Sequence, residues 1–325
     1  MRRRLTALLA TALGLLAPLA PGVARAQAPV HRVGVVLFGG PYSQAIDGLR
    51  EGLRELGMEE GKQYALLVRD ANGDLKAAGE AARELEAEKV DLIFALGSSV
   101  AFTVMKATER VPIVFHAGAD PVQVGLVENY RKPGGRLTGV SSQSRDMAPK
   151  RLEVLRDMLP HAHKVLTFYN PNNPTRYDTT ALREAGKNLK LQIIERWAKS
   201  GEELRAALLA LKPGEVEAIF YVGDAMVSSQ AQAIIDTGLA KRIPTMLQEE
   251  DSVGRGALAS YGVSFRAIGR LAAKHVQRIL AGARPGDLPV ERLDRPHLAL
   301  NLKTAKAIGV TIPKAVLDRA DEIIQ

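Results

Sequence analysis

The sequence predicts an α/β protein built from two doubly wound parallel-sheet lobes. Short apolar runs rich in β-branched residues alternate with amphipathic helical stretches, a pattern typical of parallel strands covered by helices on both faces. The alternation occurs in two sets, at about 31–141 and 142–262, and the chain is long enough for each set to have its own core. The predicted strands are 33–38, 90–95, 112–115, 165–169, 218–222 and 243–247.

The helices complete the pattern. Between residues 45 and 56 the apolar side chains fall on one helical face, and Gly57 follows as a C-terminal cap. Ser200 and Glu203 form a capping box at the start of a second helix. Such boundaries indicate separate helices that connect successive strands.

The last part of the chain is expected to return to both lobes. It contains a predicted helix at Phe265–Leu280, a Pro/Gly-rich connector at 283–289, a strand at 298–302 and two short helices. We therefore divide the chain into an N-terminal lobe, residues 27–141 plus 263–290, and a C-terminal lobe, residues 142–262 plus 291–325.

Residues 1–26 have the layout of a cleaved secretory signal. Three arginines precede an apolar run at 5–19, and Ala24 and Ala26 place small residues before an expected cleavage at Gln27. A membrane anchor is the less favoured alternative, because the run is shorter than the ~20 residues that span a bilayer. The chain has no cysteine, which excludes disulfides and a lipid-modified cysteine. We expect a periplasmic protein without a lipid anchor.

The charge of the chain argues against nucleic acid as a partner. Removing the four arginines of the signal lowers the formal net charge from +8 to +4. No lysine/arginine cluster with interleaved aromatic residues occurs in the remaining sequence.

Candidate ligand-binding residues follow from the predicted sheets. In an open doubly wound sheet, ligands bind outside the carboxyl ends of the strands. In the N-terminal lobe this rule selects the loops 39–43, 97–99 and 116–120. In the C-terminal lobe it selects 170–176, 223–228 and 248–251.

Two sets of polar residues in these loops suit a zwitterion. Ser98 and Ser99 open a helix whose free N–H groups could hold a carboxylate, although simple helix capping explains them equally well. Asp224 or Glu249 could receive an ammonium group, although an acidic run such as 249–251 is usually a solvated face. Only one of the two acids need face the ligand.

Each of the other candidate residues could bind the ligand or could have a purely structural role. Asn172 and Asn173 could contact ligand or simply form the turn that their composition predicts. A further group could supply a wall or a hydrogen bond, although a lone aromatic residue more often serves packing: Tyr42, His116, Asp120 and Tyr261.

No sequence pattern indicates an enzyme, a metal site or a cofactor. The loop after the first strand lacks Gly-x-Gly-x-x-Gly, and neither a phosphate loop nor a Gly-x-Ser-x-Gly elbow is present. His161 and His163 flank Ala162 beside a proline, which suits a surface turn better than a metal site.

Several distinctive blocks of sequence lie in order over nearly the whole chain after residue 26. The blocks are VPIVF at 111–115, DPV at 120–122, GLV at 125–127, RKPGGRLTG at 131–139, GALASYG at 256–262, NLKTAKAIGVTIP at 301–313 and RADEII at 319–324. Together they resemble the ABC-transporter substrate-binding family whose members include tryptophan- and tyrosine-binding lipoproteins. Tyr130, Lys132 and Arg136 depart from the usual residues of this family.

This resemblance implies a type I periplasmic-binding fold: two Rossmann-like lobes joined by three crossovers, with the solute trapped between them. It implies hinge closure, an ABC permease of the inner membrane as partner, and an amino acid or related zwitterion as ligand. We expect a monomer. A periplasmic sensory subunit for a membrane kinase or chemoreceptor remains the alternative, and a secreted hydrolase is a weaker one.

Overall fold

The computed structural model describes residues 30–175, 179–293 and 295–325, so the expected signal at 1–26 lies outside the described residues. Within those ranges, no helix is both long and apolar enough to cross a membrane. The strands are β1 His31–Leu37, β2 Tyr64–Asp70, β3 Leu92–Leu96, β4 Ile113–Ala117, β5 Leu137–Ser141, β6 Lys164–Tyr169, β7 Gln192–Trp197, β8 Ala218–Phe220, β9 Thr245–Glu249, β10 Ala259–Val263, β11 Glu291–Arg292, β12 His297–Asn301 and β13 Glu322–Ile324. The helices are α1 Ser43–Glu55, α2 Leu75–Ala87, α3 Ser98–Ala107, α4 Ala148–Met158, α5 Thr180–Asn188, α6 Gly201–Leu209, α7 Ala225–Ser229, α8 Ala231–Lys241, α9 Phe265–Leu280, α10 Leu302–Ile308 and α11 Lys314–Leu317.

The predicted fold class is confirmed, with two sheets that repeat one winding. The first sheet has the order β11-β5-β4-β3-β1-β2 and is parallel throughout. The second has the order β13-β12-β10-β9-β8-β6-β7, in which β10 and β12 pair antiparallel. In each sheet the second strand along the chain (β2 or β7) pairs on the outer side of the first strand (β1 or β6) and forms an edge of the sheet. The next strands are then added on the other side of the first strand, so the winding reverses direction. The reversal lies between β1 and β3 in the first sheet and between β6 and β8 in the second.

The strands that the sequence predicted are the buried inner ones. Strands β3, β4, β8 and β9 are buried along their whole length, so they read as continuous apolar runs. The edge strands β2 and β7 are only partly buried, carry charged residues and were not predicted. Residues Glu291–Arg292 were assigned to the C-terminal lobe, whereas they pair with β5 of the first sheet.

The chain passes between the two sheets at three places: between β5 and α4, between β10 and α9, and between β11 and β12, where residue 294 is not described. After the second crossover, α9 packs against α1 of the first lobe, backbone to backbone. A Cβ on Gly48 would lie 1.9 Å from the Arg266 carbonyl oxygen, and one on Gly269 would lie 1.9 Å from that of Ala45. Only glycine permits this approach.

Arg151 of α4 is fully buried and ties the first crossover to the second sheet. Its Nε donates to the Tyr261 carbonyl at 2.6 Å, Nη1 to that of Tyr221 at 3.4 Å, and Nη2 to that of Ser144 at 3.2 Å. The guanidinium also lies 5.9 Å from the centre of the Phe220 ring. Burial lowers the pKa of Arg151 to about 10, and the nearby Glu249 opposes that shift. The group therefore remains a cation at neutral pH.

We expect Arg151→Met to lower the free energy of unfolding by about 3 kcal/mol, because three buried carbonyls lose their donor together. Urea unfolding followed by circular dichroism measures the change. The matched control is Lys150→Met on the same helix, whose exposed pair with Glu153 should be worth less than about 1 kcal/mol. Equal effects of the two substitutions would contradict the anchoring role of Arg151.

Candidate functional site

The two winding reversals face each other across the space between the lobes. The first sheet contributes the turn Gly40–Tyr42 after β1 and the start of α3 after β3. The second sheet contributes the loop after β6, at 170–175, and Asp224 after β8. Since the crevice at such a reversal is where doubly wound sheets bind ligands, this interface is the candidate site.

The lobes are closed on each other around a central cavity of about 10 Å³. A Cβ built on Gly97, whose φ is +105°, would lie 3.1 Å from the Ala225 side chain of the opposite lobe. Two larger openings flank this contact, one of about 810 Å³ and one of about 710 Å³, and both are lined from both lobes. The cavity is lined by Tyr42, Gly97, Ser98, Ser99, His116, Gly118, Ser144, Arg145, Gly223, Ala225 and Gln248.

Ser98 and Ser99 stand at the first turn of α3, as the sequence predicted, and both are buried against the cavity. The Ser98 hydroxyl accepts a hydrogen bond from the Ala119 backbone N–H at 3.0 Å, so it also holds the neighbouring loop in place. The free N–H groups of the helix start make this wall favourable for an anion.

His116 and Tyr42 form an aromatic wall with Phe265, the first residue of α9. The Tyr42 and Phe265 ring centroids are 4.6 Å apart, and His116 meets Phe265 edge-on at 5.5 Å. His116 Nε2 lies 3.0 Å from Ser142 Oγ, and its buried Nδ1 has no hydrogen-bond partner among the described residues. Burial lowers the pKa of His116 to about 3, so the imidazole is neutral at physiological pH.

Asp224 is buried at the opposite wall and is already well bonded. Its carboxylate caps α7 by accepting from the Val227 N–H at 3.0 Å, and it accepts from Asn173 Nδ2 at 2.5 Å. Asn173 Oδ1 in turn accepts from both the N–H and the hydroxyl of Thr175. Asp224 and Asn173 thus form one preorganised polar unit at the edge of the cleft.

Glu249 lies beneath the cleft and does not line the cavity. It is fully buried and accepts hydrogen bonds from the Tyr221 hydroxyl and, at 3.1 Å, from Gln248 Nε2. Burial raises the pKa of Glu249, which weakens it as a counter-charge for an ammonium group.

Successive residues of a strand point to opposite faces, and it is Gln248 that reaches the cavity. Gln248 Oε1 is buried without a hydrogen-bond partner in the described structure.

The remaining predicted residues lie outside the central cavity. Asp120 borders the opening of about 710 Å³ and accepts from the Val122 N–H at 2.8 Å. Asn172 borders the opening of about 810 Å³, where its N–H bonds Asn170 Oδ1 at 2.9 Å. Tyr261 is part of β10, and its ring packs against the core of the second lobe. Of the ten predicted residues, the structure brings Tyr42, Ser98, Ser99 and His116 to the cavity.

The cleft residues on the first crossover were not predicted from the sequence. Arg145 follows β5, and its Nε donates to the Gly223 carbonyl at 3.0 Å while its Nη2 donates to Thr175 Oγ1 at 2.8 Å. Ser142 and Ser144 belong to the same segment. The rule that selects strand ends points to the loop after β5 as well. However, three of the five residues of β5 (LTGVS) are polar or glycine, so it was not predicted as a strand.

Comparison with known proteins matches most of the chain to one family. The family model described as ABC transporter substrate binding protein matches residues 32–324. A tyrosine-binding protein of Clostridioides difficile is 27% identical over 268 residues, 82% of this chain and 77% of that protein.

Solved structures agree with the same fold. A conserved domain protein from Vibrio cholerae is 28% identical, has a TM-score of 0.82 and covers 91% of this chain and 100% of its own. An ABC domain from Streptococcus pneumoniae in complex with L-Trp is 24% identical, has a TM-score of 0.79 and has the same coverage. These neighbours bear out the type I periplasmic-binding fold.

The pKa of His116 predicts an acid-sensitive contribution to stability. The ordinary histidine pKa is 6.5 and the folded value is about 3, so the unfolded chain binds the extra proton between these values. Above pH 6.5 this proton uptake does not reduce the free energy of unfolding. Below pH 6.5 the free energy of unfolding falls by up to about 1.4 kcal/mol for each unit that the pH decreases. In urea unfolding at pH 6.5, 5.5 and 4.5, His116→Gln should lose this slope, while His31→Gln at a partly exposed position should keep it. A slope unchanged in His116→Gln would refute the assignment.

Proposed function

Because the chain belongs to the ABC transporter substrate-binding protein family, we propose that it is the periplasmic solute-binding component of an ABC importer and that its solute is an amino acid. The observation that carries the proposal is the cleft itself. It lies where the windings of both sheets reverse, and it is lined by complementary polar groups from the two lobes. The expected signal at 1–26 and an inner-membrane permease as partner are part of the same proposal.

The first lobe provides a binding position for the carboxylate group of the solute. The start of α3 presents backbone N–H groups and the Ser99 hydroxyl to the cavity, and the helix dipole favours negative charge there. The neutral His116 adds a polar nitrogen without placing a positive charge in the wall. An anion at this position would be bound by preorganised groups.

The second lobe offers acceptors for the ammonium group. Gln248 Oε1 lines the cavity and lacks a partner among the described residues, so a donor from the solute would relieve the cost of burying it. The Asp224 carboxylate lies at the same edge of the sheet and supplies negative charge. The polar ends of an α-amino acid therefore match opposite lobes.

The aromatic wall supports an apolar or aromatic side chain on the solute. Phe265 meets His116 edge to face and Tyr42 in a tilted arrangement, and ring–ring contacts of this kind are worth about 0.5–1.5 kcal/mol beyond the area buried. The relatives named for tyrosine and L-Trp lend weight to an aromatic amino acid.

Binding requires the lobes to separate and close again. A cavity of about 10 Å³ is far smaller than an amino acid, so a bound solute must hold the lobes further apart than they are here. The three crossovers allow such a hinge motion, and the closed form would be the one presented to the permease.

The ligand can be identified directly. Native mass spectrometry of protein secreted and purified without refolding should show a retained small molecule, and calorimetry should show one site for L-tyrosine or L-tryptophan. The D-enantiomers are matched controls, because they carry the same charged groups and side chain in the mirror-image arrangement. Failure of the folded protein to bind any of the L-amino acids would contradict the proposal.

We expect Ser99→Asp to abolish binding while the fold is retained. Asp is favourable near a helix start, but its carboxylate would face that of the solute, and like charges at ~4 Å repel by roughly 4 kcal/mol at an intermediate dielectric. Affinity should fall about a thousandfold by calorimetry. Thr179→Asp, at the N-cap of α5 and outside the cavity, is the control and should bind normally. Unchanged affinity in Ser99→Asp would show that the carboxylate binds elsewhere.

A further inference from the structure

Two carboxylates and one imidazole from three separate segments meet at one edge of the second sheet. Glu250 follows β9, His297 is the first residue of β12, and Glu322 is the first residue of β13. Their potential ligand atoms all lie within 4.8 Å of one another, with His297 Nδ1 3.9 Å from Glu250 Oε1. No pattern in the sequence brings them together, because more than 70 residues separate the first from the last.

The backbone of the sheet holds this cluster in place. His297 pairs with Gly262 of β10, and Glu322 pairs with Ala299 of β12. Glu250 belongs to the short 3-10 turn Glu250–Ser252 that directly continues β9. The three positions are therefore fixed by strand register and do not depend on a flexible loop.

Among the described residues, the cluster has no lysine or arginine partner. Its one internal pairing joins His297 Nδ1 to Glu250 Oε1 at 3.9 Å, which is too long for a hydrogen bond, and Glu322 lies within 4.8 Å of both. His297 Nδ1 is shielded from solvent and has no hydrogen-bond partner in the same part of the chain. A buried ring nitrogen without a partner is costly, and a cation would satisfy all three side chains at once.

We propose that Glu250, His297 and Glu322 form a binding site for a divalent transition-metal ion, of which zinc is the probe. One imidazole and two carboxylates are a ligand set that zinc accepts, with water in the fourth position. Ligands bound to one zinc at ~2.0–2.1 Å lie about 3.3 Å apart in tetrahedral geometry, so the side chains must draw together by up to about 1.5 Å. Glu322 is exposed and free to rotate inward. The site lies outside the cleft and is independent of the solute.

Such a site would fasten the C-terminal strand to the sheet. Strand β13 has only three residues and forms the outer edge beside β12. A metal bound to Glu322, His297 and Glu250 would link β13, the end of the third crossover and the segment after β9. Zinc should therefore raise the melting temperature, since it binds the folded chain and not the unfolded one.

The test is calorimetry and thermal unfolding of the full secreted chain, stripped with chelator and titrated with zinc alone. We expect one site, and an affinity lowered at least on the order of 100-fold in His297→Ala, since even outer-shell changes cost 10–100-fold. Glu322→Gln should weaken zinc binding as well. Calcium should not bind, because it requires six to eight oxygen ligands.

The other histidines supply controls. His163→Ala removes part of the His161–His163 pair, and His31→Ala removes a ring that lies 3.5 Å from Asp91 with no third ligand among the residues that the structure describes. Both should keep full zinc affinity, and crystals soaked in zinc should show anomalous density beside His297. Binding that is lost in His163→Ala but kept in His297→Ala would overturn the proposal, as would the absence of binding. Circular dichroism verifies that each variant is folded.

Discussion

The connection between the two lobes depends on the buried guanidinium of Arg151. A cation can be buried only where acceptors surround it, and here the acceptors are carbonyls of β10, of the residue after β8 and of the first crossover. One side chain thus joins the segment that leaves the first lobe to the interior of the second sheet. Because that segment also carries Arg145, whose hydrogen bonds reach Gly223 and Thr175, the geometry of the cleft follows from this anchor.

Small residues let the lobes close. Beyond the contact of Gly97 with Ala225, a Cβ on Gly40 would lie 3.0 Å from Ser229 Cα, and one on Gly73 would lie 3.2 Å from Ser229 Oγ. Gly40 and Gly73 also have positive φ, so glycine serves the turn and the lobe contact together. Larger residues at these positions would keep the faces apart. Closure is therefore a property of the backbone as much as of any ligand contact.

The fold was largely predictable, whereas the site was predictable only in part. Most inner strands and α9 were found because complete burial favours an apolar sequence. The inner strands β5 and β10 were missed because they contain glycine and polar residues, and edge strands such as β2 were missed because they are partly solvated. Strand ends located Ser99 and His116 correctly at the cavity, but local sequence cannot say which of Gln248 and Glu249 faces it. The cluster around His297 depends on the register of non-adjacent strands, which no local pattern reveals.

The glycine contact between α1 and α9 has a mechanical consequence. Helices that touch through their backbones leave no layer of side chains to slide, so α1 and α9 must move as one piece. Tyr42 immediately precedes α1 and Phe265 is the first residue of α9, so these two rings of the aromatic wall move with the α1–α9 pair. In the rotation proposed for solute binding, the backbone torsions that change must therefore lie in the crossovers, among them the residues just before Phe265. Such a rotation would therefore move the aromatic wall as a rigid unit, without changing the arrangement of its rings.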